Sequence, residues 1–357
     1  MSENLCDGPR GRRLVLELAR DVLPEEARRG LGELAYQADV DAGSSITRLV
    51  FSGHGAAEPD PPSTTAELAA AIRAIGVLEP AAVDSTAFDA AMLRAVDSAR
   101  YWQAPEGADI VAAHPVVAAA LAEVAVALPT GADATWWRRD RTAQQWAIEF
   151  DPSGDGAPFD PAPTASARWS ASTAAEEERA RAEYPADVTA PFGGQWWSHP
   201  WGAPHSTGVL PAGVPAGIPY VEDGFGWTRA LAIPVAGAGR TYEVRGADDW
   251  AHLCRTYPRE VTAARRHDWY SVTGRDGRWL LPDWGRVAGE WDAVHLSAWG
   301  YLTAATREIV VDAEYSSMIA GWGPDETYWL TGLVREIEGP RVHWRADRPE
   351  GPWRRAE

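Results

Sequence analysis

The tryptophans constrain this chain more than any other feature: there are 19, and all of them lie after residue 100. Rings of that size must be packed in a core or committed to a binding surface, because each carries a large apolar area with a single N–H donor. Residues 282–306, PDWGRVAGEWDAVHLSAWGYLTAAT, pose the question most sharply, with Trp284, Trp291, Trp299, Tyr301 and His295 in one short run. The first 130 residues carry Ala and Leu at helical spacing instead. The chain therefore divides by residue type before any motif is considered.

The expected organisation follows that division. Residues 12–37 carry Leu14, Leu16, Leu18, Val22 and Leu23 ahead of Pro24 and a Glu-Glu pair, the pattern of two helices with a break. Thr64 with Glu67 three residues on has the spacing of a capping box at a helix start. Two more Ala-rich helical stretches follow, and GHGAAEPDPPS at 53–63 reads as a loop. Residues 1–130 are thus expected to be a helical unit. Residues 131–229 form a Trp/Pro/Gly-rich region with short strands, among them TWWRRD and QQWAIEF, and one charged helix at 174–185.

Residues 230–338 read as the α+β candidate functional domain. ALAIPVAG and RTYEVR flank a tight GAGR turn, ADDWAHLCRTYP is a helix and DWGRVAGEW another, and DAVHLS and SSMIAGW are strands. ETYWLTGLVREI fits strand or helix, and 339–357 reads as a loosely held tail. Strand, helix, helix, strand, strand is α+β order, which predicts a small and mostly antiparallel sheet.

Composition excludes several chemistries. Lysine is absent, so all 33 basic residues are arginine. A phosphate loop of the Walker type and Schiff-base catalysis both require a lysine. A net charge of −18 opposes a nucleic-acid partner, since phosphate binding needs a concentrated basic face. The basic cluster WWRRDR at 136–141 is interrupted by Asp140 and reads as a solvated turn. Cys6 and Cys254 make no disulfide framework, no apolar leader is visible, and no uncharged run reaches membrane-spanning length. A soluble, reduced, cytoplasmic protein with no membrane partner is the expectation.

Four constellations carry possible chemistry. His199 and His205, six residues apart in SHPWGAPH, are a weak metal alternative, with Glu222 or Asp223 to supply oxygen. RRHDWY places Arg265 and Arg266 beside aromatics, a grip for a nucleotide or an anionic ring. In DAVHLS, strand alternation sets His295 and Ser297 opposite the apolar pair Val294 and Leu296, so that His295 faces a more polar side. Continued as a strand, that face would add Trp299 and Tyr301 as one wall of a cleft. Asp325 and Glu326 follow a Gly-Pro turn, where they cap a helix or aim a carboxylate at the same cleft.

The runs YEVRGADDWAHLCRTYP, RRHDWY, PDWGRVAGEWDAVHLSAWGYLTA and AGWGPDETYWL, with ARYWQ and GPRGRRL earlier, resemble a family of uncharacterised actinobacterial cytosolic proteins. That resemblance covers most of the chain and implies no functional residues. The C-terminal third, with a polar strand followed by the pattern GW-x-x-(D/E)-T-x-W, is similar to the cores of small ADP-ribosyltransferase-like proteins. It implies NAD held in a split sheet, with Arg245, His295 and Glu326 in suitable order. The serine-threonine-serine strand and the Glu-x-Glu turn of those enzymes are absent here.

Two functions are expected from these features. The first is an NAD- or nucleotide-using transferase with His295 and Glu326 catalytic. Arg245, Arg265 and Arg266 would grip the pyrophosphate, and Trp299 or Tyr301 would stack the ring. The second is a non-catalytic protein that binds a protein partner or a small ligand through a Trp-rich surface.

Overall fold

Gly8 starts the fold by letting the chain enter the molecule's centre. A Cβ there would lie 2.3 Å from the Leu302 carbonyl oxygen, so only glycine permits this approach to a helix near the other end of the chain. The computed structural model describes residues 4–43, 63–80, 85–130 and 132–356. The 53–63 loop falls outside the described residues except for Ser63.

The N-terminal segment is helical, as expected: α1 (Pro9–Val22), α2 (Glu25–Asp41), α3 (Thr65–Ile75), α4 (Ser85–Asp97), α5 (Gly107–Ala113) and α6 (Pro115–Val124). Pro24 is the N-cap of α2, which explains the break. Thr64 and Glu67 form the capping box of α3, each accepting from the other's backbone N–H. α1 is the axle, packed on α4, α5 and α6 and also on a helix of the C-terminal half. Two arginines on its inner face are buried with partners. Arg10 pairs with Asp109 at 2.9 Å, and Arg13 pairs with Glu17 at 2.8 Å.

Beyond residue 130 the chain is α+β. In order come β1 (Gln144–Phe150), α7 (Ala165–Glu183), β2 (His205–Thr207), β3 (Arg229–Gly237), β4 (Thr241–Val244), α8 (Ala247–Thr256), β5 (Pro258–Glu260), α9 (Thr262–Thr273), β6 (Arg278–Pro282), α10 (Trp284–Val287), β7 (Ala293–Leu296), α11 (Ala298–Ala304), β8 (Ile309–Val310), β9 (Tyr315–Ser317), β10 (Glu326–Trp329), β11 (Val334–Glu336), β12 (Val342–Arg345) and β13 (Arg354–Arg355). The main sheet has nine strands in the order β13-β12-β3-β1-β2-β10-β7-β4, with β11 also on β3. It is antiparallel apart from the β4–β7 pair. A second sheet runs β5-β6-β9-β8.

Several local expectations change. TWWRRD is not a strand: residues 132–138 form a 3₁₀ helix, and Trp136 and Trp137 are buried. Nor is WWRRDR a solvated turn, because its arginines spread over the sheet, with Arg139 on Asp325 and Arg141 over the Trp329 ring. β3 and β4 do not pair across GAGR. β4 lies at the far edge beside β7, in a parallel register that sets Glu243 opposite His295. The 339–357 tail is tied in, since Val342 and Trp344 turn toward an apolar patch with Ala230 and Ala232 while β12 pairs with β3. Residues 325–336 supply two strands rather than a helix start, and the helix at 284–287 stops short of Trp291.

Most tryptophans are core. Trp137, Trp250, Trp269, Trp279, Trp284, Trp322 and Trp329 are fully buried, each worth roughly 1.5–3 kcal/mol of apolar transfer. Trp250, Trp284 and Trp322 pack edge-on or tilted, with ring centroids 6.0–6.1 Å apart, and Trp322 meets Tyr328 at 4.7 Å. One hydrophobic cluster runs from Leu14 and Val15 of α1 through these rings to Tyr301, so helical and α+β parts share a core. No single helix among the described residues is long and apolar enough to cross a membrane.

Candidate functional site

β10 presents different chemistry on its two faces. Its register sets Glu326 opposite Leu296 and Thr207, and Tyr328 opposite Val294 and His205. Thr327 lies opposite His295, so His295 and Glu326 point to opposite sides of the sheet. The expected His295–Glu326 pair therefore does not form.

His295 sits in a closed ionic centre. It is 0 % exposed, with Nδ1 2.6 Å from Glu243 Oε2 and Nε2 3.3 Å from Asp325 Oδ1. Burial opposes its charge, but hydrogen bonds and attraction from Asp325 and Glu243 win, raising its pKa to about 9. The ring is thus an imidazolium at neutral pH, with both N–H groups donating. Asp325 Oδ2 accepts from the Gly208 N–H at 3.0 Å and from Arg139 Nη2 at 3.2 Å. Asp325 holds φ at +61°, a left-handed conformation that Asp tolerates better than most residues. Strand alternation had put His295 opposite Val294 and Leu296, which is where it lies. The polar side proves to be filled by partners rather than open to a cleft.

The other face of β10 leads to a different cluster. Glu326 Oε1 lies 2.6 Å from His205 Nδ1, and its Oε2 accepts from the Gly323 N–H at 2.5 Å. His205 is half-exposed; burial of its ring opposes the charge, and Glu326 outweighs it to raise the pKa. Tyr328 lies against Glu326, and the rings of His199 and His205 run parallel to it at 4.8 and 5.4 Å. Gly321, at φ +77°, makes room for this packing, since a Cβ there would stand 3.0 Å from His199 and 3.1 Å from Trp196.

Glu222 completes the cluster. It follows a turn at Tyr220 and accepts from the Tyr101 hydroxyl at 2.8 Å; that hydroxyl also lies 3.1 Å from Thr306 Oγ1. Burial pushes the Glu222 carboxyl up to about 8. Tyr101, Tyr301 and Arg10 pull it down, and Glu326 adds to the rise. The Tyr301 hydroxyl faces the same carboxyl without a hydrogen bond of normal geometry, and Glu222 Oε2 is likewise buried and unpartnered. Tyr328 feels the charge of both Glu326 and Glu222, so the two carboxyl groups lie near it. Trp196 stacks on Tyr101 at 5.3 Å, and Trp197 and Trp201 meet at a tilt with centroids 4.8 Å apart, where Trp201 is 63 % exposed.

The remaining expected residues lie elsewhere. Arg245 is a surface residue paired with Asp140 at 2.7 Å. Arg265 is 0 % exposed on α9, beside Glu176 and Gln195, and Arg266 donates to the Tyr184 carbonyl oxygen. These guanidinium groups hold α7, α9 and the adjoining loop, so they form no common grip with Trp299 or Tyr301. The expected strand through Trp299 and Tyr301 is helix α11, capped by Ser297, whose side chain accepts from the Gly300 N–H. Trp299 stacks on Trp137 and carries Arg138 3.6 Å above its ring. Tyr301 alone of the five cofactor candidates reaches the Glu222 cluster. His199 and His205 do not form the metal alternative, because both lie flat against Tyr328. Among the described residues, no group of three or more His, Cys, Asp or Glu is placed to hold a metal ion. Asp223 is committed to Arg100 and Trp102.

Tyr101 and Glu243 escaped sequence reasoning as site residues. Glu243 had a readable signal: it alternates with Val244 as His295 alternates with Leu296, one charge per strand on matching faces. No family model, curated protein or solved structure matches this chain.

Proposed function

We propose that the protein is an enzyme that transfers or hydrolyses a glycosyl-type bond, using Glu222 as the proton donor and Glu326 as its paired carboxylate. One observation carries this reading. A carboxyl group raised by burial to about 8 lies near a second carboxylate held by an imidazole and a backbone N–H, with Tyr328 beside both. Two carboxyl groups in unlike environments are the recurring equipment for glycosyl-bond cleavage, one giving a proton to the leaving group and one stabilising the oxocarbenium-like ring. The exposed Trp201 ring at the solvent edge suits the flat face of a sugar or a base.

NAD is a substrate of this chemical class, because its nicotinamide–ribose bond is N-glycosidic. The ADP-ribosyltransferase-like reading of the sequence therefore keeps Glu326 in its stabilising role. His295 leaves the catalytic set, and Arg245, Arg265 and Arg266 leave the cofactor set. Incubation with NAD, with chromatographic detection of nicotinamide, tests the reading. Release that falls by about 10²-fold or more in both Glu326→Gln and Glu222→Gln is expected. An absence of release from NAD, with no turnover of a panel of aryl glycosides, would sink it.

Trp201, exposed and tilted against Trp197, favours a second reading in which the same edge binds a ligand without turning it over. In that case sugar or nucleotide binding would persist in Glu222→Gln and vanish in Trp201→Ala, with no product formed by either protein.

A further inference from the structure

A cleft of about 190 Å³ opens where the C-terminal end of α4 meets the main sheet. Asp97 of α4, Phe150 at the end of β1, Trp227, Glu350 and Trp353 line it. The sheet sets Phe150 and Trp353 on one face. Phe150 pairs with Ala230, Ala230 with Trp344, and Trp344 with Arg355, two residues beyond Trp353. Paired residues and alternate residues of a strand share a face. Phe150 and Trp353 accordingly pack in the same apolar patch, with Ile218 and Trp344.

The rings make a corner. Trp227 stacks on Phe150 with centroids 4.3 Å and planes 12° apart, while Trp353 stands across Phe150 at 6.5 Å and 60°. All three are half-buried, which leaves ring surface open to the cleft. The charged residues of the lining are both acids, Asp97 and Glu350, and no arginine or histidine among the described residues lines it. Asp97 Oδ1 accepts from the Gly224 N–H at 2.8 Å. Arg94 and Arg100, close to Asp97 in sequence, are committed elsewhere, the first to Glu17 and Asp21 and the second to Glu106 and Asp223. Asp97 is also the last residue of α4, where the helix dipole disfavours a negative charge. A cation in the cleft would offset that cost.

We propose that this cleft binds a small organic cation with an alkylated ammonium head, seated against the Phe150–Trp353 corner with its charge answered by Asp97 and Glu350. Aromatic faces attract such a head through the ring quadrupole, without needing N–H donors from it. The volume lies below the roughly 300–1,000 Å³ of sites for drug-sized ligands, which fits a small solute. Val221 and Gly224 line the cleft on either side of Glu222 in the chain, and Glu222 itself does not, so occupancy is read by binding without any turnover.

Isothermal titration of the full chain with choline chloride at low salt tests it, beside the uncharged isostere in which carbon replaces the quaternary nitrogen. Saturable choline binding is expected, with the isostere about tenfold or more weaker. Trp353→Ala should weaken choline about fivefold or more. The double variant Asp97→Asn/Glu350→Gln, which keeps an acceptor for the Gly224 N–H and otherwise alters an exposed side chain, should weaken it about tenfold without removing any packing. Glu183→Gln, which neutralises an exposed acid outside the cleft, should leave affinity unchanged. Failure of choline to saturate at millimolar concentration would overturn the proposal. Equal affinity for the uncharged isostere would overturn it by showing a merely apolar cleft. Equal loss in Glu183→Gln and the double variant would do so by revealing diffuse attraction to a chain of net charge −18.

Discussion

Two consecutive residues, Asp325 just before β10 and Glu326 at its start, feed two acid–imidazole centres that differ in every respect that bears on reactivity. Asp325 closes the first, where His295 is fully enclosed and each nitrogen has a carboxylate. Glu326 belongs to the second, where His205 is half-exposed and the nearby Glu222 and Tyr301 keep buried polar atoms without partners. A satisfied buried charge cluster fixes the position of the strands that carry it, and breaking it is expensive. An under-satisfied cluster beside solvent has capacity left for a substrate. The contrast gives one face of β10 a closed structural centre, and the function proposed above draws its chemistry from the other.

The largest effect should come from removing the imidazole of the closed centre. His295→Ala leaves Glu243 and Asp325 facing each other in a buried site, and a loss of about 3–5 kcal/mol in urea unfolding is expected. A loss under about 1 kcal/mol would break the comparison, because it would mean that water already reaches the centre. Asp325→Asn keeps a residue that tolerates positive φ but weakens the bonds to His295 and Arg139, for an expected cost of roughly 2–3 kcal/mol.

Glu222→Gln should move stability the other way. The folded state holds the Glu222 proton up to about pH 8, whereas an unfolded glutamate releases it near its ordinary 4.5. Stability therefore falls as pH rises between those values, and the amide removes that penalty, a gain of roughly 1–3 kcal/mol at pH 7. His295 acts in a later window. Its folded pKa is raised to about 9, so its contribution is complete below about 6.5 and is lost as pH rises through 9. Thermal melts across pH should thus lose the early slope in Glu222→Gln and the late slope in His295→Gln. If each substitution flattened both slopes, the two centres would be one coupled unit.

The smallest stability effect is expected from Glu326→Gln, under about 1 kcal/mol, because its ionic partner His205 is half in water. Its effect on turnover should nevertheless be among the largest. That mismatch between stability and activity is what separates the open centre from the closed one.

Part of this arrangement was legible in the sequence. The capping box at Thr64, the break at Pro24, the α+β order and the side of the strand on which His295 lies all depend on short-range rules, and all hold. Pairing between distant strands was not legible. GAGR looks like a hairpin turn, yet β4 finds its partner in β7, which lies about fifty residues on and is recognised only by matching faces. The same limit hid the separation of His295 from Glu326, since the two faces of β10 follow from its register with β7. Arg245, Arg265 and Arg266 had the right chemistry for an anion, but guanidinium groups also tie elements together, and composition does not distinguish the two uses.

The Tyr101 hydroxyl meets Thr306, 205 positions along the chain. During synthesis, the loop between α4 and α5 that carries this tyrosine leaves the ribosome long before Glu222, Tyr301 and Glu326 exist. At about 5–20 residues per second, the wait is on the order of 10–45 s. Through that interval the inner face of α1, destined for α11, has no C-terminal half to cover it. The nascent N-terminal segment is thus the stage most exposed to misassociation, and its cover arrives only with the C-terminal half.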